Sequence, residues 1–69
     1  MEITPDQLRD ELLNKKHPAN IKINAGAVVI DAEAFLIVQF DIVSRHKGEL
    51  RRCAAWQRLL EFREAVKEI

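Results

Sequence analysis

The chain has 69 residues, 48% of them hydrophobic, with eleven basic residues against eleven acidic ones. That length makes room for one small domain over residues 1–69 and no second core. Zero net charge counts against a strongly cationic nucleic-acid or membrane binder, and the apolar content counts against global disorder.

A lone cysteine, Cys53, excludes an intramolecular disulfide framework and fits a reducing compartment. The stretch Met1–Asp6 is acidic and polar and lacks the basic and apolar regions of a secretory signal. The apolar run Phe35–Val38 falls far short of the roughly 20 residues that span a bilayer. The expected setting is cytoplasmic, with no membrane contact.

The first predicted helix covers about residues 5–16. Thr4 is its N-cap, Pro5 suits the first helical position, and Gln7 completes a capping box that satisfies free backbone N–H groups. Ile3 and Leu8 are placed for a hydrophobic staple, and Leu8 and Leu12 share a face. Asp6 suits the positive end of the helix dipole, and Lys15 and Lys16 the negative end. His17-Pro18 should stop the helix, because proline disfavours helical geometry in the residue before it.

Two β-favouring runs follow, Ile21–Ile23 and Ala27–Ile30, around Asn24-Ala25-Gly26. They form either a short hairpin resting on the helices or an extended loop whose Ile21, Ile23, Val28 and Ile30 plug the core. Asp31 is the N-cap of a second helix over about residues 32–47. Gly48 would supply its left-handed C-terminal residue, with Arg45, His46 and Lys47 suiting the last turn. Phe35, Leu36, Val38, Phe40, Ile42 and Val43 fall within an arc of about 200°, which predicts the central helix of the domain.

The third helix is expected from about residue 49 to the end. It carries two apolar stripes: Ala55, Leu59, Phe62, Val66 and Ile69 at heptad-like spacing, and Cys53, Trp56 and Leu60 about 100° away. The small body preceding it can cover one stripe well. The other either stays partly exposed, as interaction surfaces do, or has Trp56 capping an ordinary core edge.

The fold class is therefore mainly α, in the order helix, short hairpin or extended loop, helix, helix. The predicted core holds Leu8, Leu12, Ile23, Val28, Ile30, Phe35, Val38, Phe40, Ile42, Val43, Leu59 and Phe62.

Residues that could carry chemistry are sparse. Thr4 and Ser44 are the only hydroxyl residues; Thr4 has its capping role, and Ser44 has no oriented base beside it. Cys53 and His46 could in principle pair as nucleophile and base, but Cys53 falls on an apolar stripe, where cysteine behaves as a small hydrophobe. His17, His46 and Cys53 lack metal-ligand spacing, and Gly26 and Gly48 cannot build a phosphate loop. No catalytic residue, cofactor, metal or small-molecule substrate is inferred, and the chain is not expected to be an enzyme.

Two surfaces remain. Trp56 and Leu60, flanked by Arg52 and Arg63, suit contact with a protein partner or a second copy of the chain, a homodimer being one such form. Alternatively, the basic segment with Arg45, Lys47, Arg51 and Arg52 could meet nucleic acid, since two helices joined through one glycine also describe a helix-turn-helix.

The stretch I-K-I-N-A-G-A-V-V-I-D-A-E-A-F, residues 21–35, followed by Trp56-Gln57-Arg58-Leu59, resembles a short uncharacterised family from Bacteroidetes genomes and their mobile elements. Its members open with a capped helix and close with an aromatic-x-R-L helix. The resemblance implies a single domain in a bacterial cytoplasm and brings no activity with it. Arg51-Arg52-Cys53 stands where that family has more polar or proline-containing connections.

Overall fold

The computed structural model describes residues 2–23 and 28–67. Helix α1, Pro5–Leu13, starts as its sequence dictates. The Gln7 backbone N–H donates to Thr4 Oγ1 at 3.2 Å, and the Thr4 N–H donates to Gln7 Oε1 at 3.0 Å. The helix ends three residues sooner than the spacing predicts. The His17 ring folds back, and its Nε2 donates to the Leu12 carbonyl at 2.7 Å. That bond satisfies a last-turn acceptor which further helix would otherwise fill. Lys15 and Lys16 consequently lie beyond the helix.

Asn20, at φ 60°, turns the chain into a two-stranded antiparallel hairpin of β1 (Ile21–Lys22) and β2 (Val28–Val29). The hairpin form therefore holds. Asn24, Gly26 and Ala27 lie outside the described residues. Ile21 pairs with Val29 and Lys22 with Val28, and directly paired residues point to the same side of a sheet. Ile21, Ile23 and Val29 go inward, and Val28 and Ile30 outward. This corrects the expectation of Val28 and Ile30 in the core. The pairing of Ile21 with Val29 sets the phase of β2, and a one-residue shift would invert every side chain.

Helix α2 spans Ala32–Arg45, capped by Asp31, whose carboxylate accepts the Ala34 N–H at 3.2 Å. It stops two residues before the expected end, at His46 in extended conformation. Gly48 does take a positive φ, 110°, but in the connection rather than against the helix. There the His46 ring Nε2 donates to the Glu49 carbonyl at 3.0 Å.

The third helix also starts later than expected. Leu50–Arg52 form a 3₁₀ turn, and α3 runs Ala54–Lys67. The Gln57 side chain donates to the Arg51 carbonyl at 3.1 Å, tying the turn to α3. A tight i→i+3 turn lets the chain reverse direction between α2 and α3 while its carbonyls stay bonded.

α1 and α3 each pack on α2, and β1 packs on α3. The core is built from Leu8 and Leu12 of α1, Ile21, Ile23 and Val29 of the hairpin region, Leu36, Phe40 and Val43 of α2, and Ala55, Trp56, Leu59 and Phe62 of α3. Phe62 stacks on Phe35 with ring centres 5.4 Å apart and meets the edge of His17 at 5.2 Å. Buried Gln39 is satisfied by Arg58, whose guanidinium donates to its Oε1 at 3.1 Å. Val38 and Ile42, expected in the core, are exposed, and Phe35 is half-buried. α2 is thus the helix that α1 and α3 share, as expected, but they cover only one side of it.

Candidate interaction site

The four residues expected to form an interaction patch do not share one exposed surface. Trp56 is 6% exposed and Cys53 is also buried, so the second stripe of α3 belongs to the domain's own core. The edges of Trp56 and Leu60 line a shallow groove with Ile3, Leu50, Glu49 and Arg51. Burial of the indole by α3's own surroundings corrects the expectation that this stripe stays open.

Arg52 lies on the exposed 3₁₀ turn, 3.8 Å from Glu49. Arg63 faces α1 instead, where its Nε donates to Glu11 Oε2 at 2.7 Å and a terminal nitrogen donates to Oε1 at 3.3 Å. This two-point bridge ties α3 to α1 across 52 residues of chain. The hydrogen bond from Arg63 holds the Glu11 carboxyl below its ordinary 4.5, against the smaller opposing pull of burial, with help from the charges of Arg63, Lys15 and Lys67. The same hydrogen bond raises Arg63.

A depressed folded-state acid contributes stability above its unfolded value and loses that contribution as pH falls through the folded one. Arg63 stays charged throughout that range and adds no slope. Wild-type protein should therefore lose more stability than Glu11→Gln between pH 6 and pH 3, by up to about 1 kcal/mol for a partly exposed bridge. Urea midpoints at the two pH values test this; equal acid losses in both proteins would remove the bridge from the account.

The basic segment is exposed but largely paired. Arg45 lies 3.5 Å from Asp41, and Arg51 lies 2.6 Å from Glu49, which also serves Arg52. Lys47 has no ion pair among the described residues. Arg51 and Arg52 lie in the 3₁₀ turn ahead of α3 rather than in its first turn. The glycine connection holds a 3₁₀ turn rather than the start of a recognition helix. Ser44 donates to the Asp41 carbonyl at 2.7 Å, and the His46 ring is bonded to Glu49. Among the described residues no cluster of three or more metal-ligating side chains occurs. No helix among the described residues is long and apolar enough to cross a membrane.

Besides Val28 and Ile30 of the hairpin region, uncovered large apolar side chains among the described residues lie on α2. Ile37 is 55% exposed, Val38 53% and Ile42 43%. At 100° per residue, Ala34, Val38 and Ile42 form one ridge on the side opposite Leu36, Phe40 and Val43. Ile37, Asp41 and Arg45 form the ridge beside it. The signal for Val38 and Ile42 was the apolar arc of about 200° on α2, while Ile37 lies outside that arc. Such an arc is wider than the neighbours of one helix in a three-helix body can cover.

A family model described as "Domain of unknown function (DUF6965)" matches residues 3–68. The chain belongs to the DUF6965 family. The match takes in every element of the fold, from the capping box of α1 to the end of α3, so this DUF6965 domain is one unit. No match was found among curated proteins or among solved structures.

Proposed function

We propose that this DUF6965 domain is a non-enzymatic protein-interaction module that works through the outer face of α2. The carrying observation is that three of the five large apolar side chains exposed among the described residues, Ile37, Val38 and Ile42, lie on that one helix. An amphipathic surface helix normally keeps its outer face polar. Contiguous exposed apolar surface marks contact sites, and burying it contributes about 25 cal/mol per Å². The paired state of Arg45, Arg51 and Arg52 gives the nucleic-acid alternative no comparable support.

A photo-crosslinking amino acid placed at Val38 or Ile42 in living cells should give discrete protein adducts. The same group at Glu64, on the exposed side of α3, should give none. Equal labelling from all three positions, or none from any, would defeat the reading.

A further inference from the structure

Resting on that reading of α2, we infer that the partner is a second copy of this chain, with the two α2 helices crossing antiparallel about a two-fold axis at Val38. The first support is the order of sizes along the ridge. Ala34, Val38 and Ile42 follow one another at four-residue steps and grow from small to large. An antiparallel copy reverses the gradient. Ala34 then faces the partner's Ile42, Val38 faces the partner's Val38, and Ile42 faces the partner's Ala34. Each layer contains a similar volume, as interdigitated ridges require. A parallel copy would set alanine on alanine and isoleucine on isoleucine, leaving a gap at one end and crowding the other.

Charge supports the same partner. The charged residues beside this ridge, Asp41 and Arg45, already neutralise one another across 3.5 Å. Neither carries an unpaired charge into the contact. The antiparallel crossing also sets Arg45 toward the end of α2 that bears the partner's Asp31. With eleven charges of each sign, two copies of the chain approach without net repulsion.

A crossing of one helix pair along Ala34, Val38 and Ile42 sits at the small end of protein interfaces, so the dimer is weak and reversible.

Sedimentation of the purified chain from about 10 μM to about 1 mM, a range suited to weak association, should show the mean mass rising from 8.0 kDa toward twice that value. Val38→Lys, which sets two like charges on the axis, should stay at 8.0 kDa throughout with unchanged far-UV dichroism. Orientation is tested by oxidation of variants with one added cysteine; native Cys53 is buried and stays silent. Val38→Cys should form a disulfide with its own copy, and Ala34→Cys should not.

A constant 8.0 kDa mass for the wild-type chain would overturn the inference, as would self-crosslinking of Ala34→Cys as fast as Val38→Cys. If the chain stays monomeric while position 38 captures a different protein in cells, self-recognition fails and the α2 surface stands. If position 38 captures nothing and the mass stays constant, both fail.

Discussion

Phe62→Ala is expected to leave the domain largely unfolded at room temperature. Phe62 is 0% exposed and is the point where three parts of the fold meet. Its ring stacks on Phe35 of α2 at an interplanar angle of 28° and receives the edge of His17 at 80°. That same His17 closes the end of α1 through the Leu12 carbonyl. Truncation removes the ring's transfer free energy and leaves a cavity that rigid helices cannot fill, a loss of about 3–5 kcal/mol. A core of this size supplies about the same total. Far-UV dichroism and a thermal melt provide the measurement. A cooperative transition within a few degrees of wild type would show that the three elements do not depend on this ring.

Trp56→Ala is the second large effect, and it separates a core role from a binding role. The indole is buried in the core cluster, so its removal should cost about 3–5 kcal/mol and abolish cooperative melting. Trp56→Phe keeps most of the apolar volume and should fold with a lowered melting temperature. Because Trp56 does not lie on α2, the phenylalanine variant should sediment like wild type at every concentration. A Trp56→Ala protein that melts normally but no longer associates would return the interaction surface to α3.

Zero net charge, a single domain and the absence of a disulfide framework were legible from composition. Local signals were legible as well. Thr4 with Gln7 and Asp31 with Ala34 make their capping bonds within three residues of chain, so nothing distant decides them. The presence of a hairpin followed from two apolar runs around an Asn/Gly segment. Its phase did not. Whether Val28 or Val29 faces inward depends on a register that alternation in two-residue strands cannot specify. The late start of α3 was hidden for a related reason. Leu50–Arg52 suits a 3₁₀ turn and a first helical turn equally well, and the chain reversal into α3 selects between them.

The candidate site was half legible. Two helices with more apolar width than a small body needs were visible in the pattern: α3 with two stripes and α2 with a 200° arc. The identity of the helix left bare was not. Apolar periodicity is a property of one helix and measures how much surface seeks cover. Which part obtains cover depends on how three helices rotate against one another. Here α3 sets Leu59, Phe62 and Trp56 inward together and meets the hairpin through β1, while α2 receives neighbours on one side. Capping bonds and the amount of apolar surface are local quantities, encoded within a few residues. The exposure of Val38 and burial of Trp56 are long-range outcomes, decided when the helices chose their facing sides.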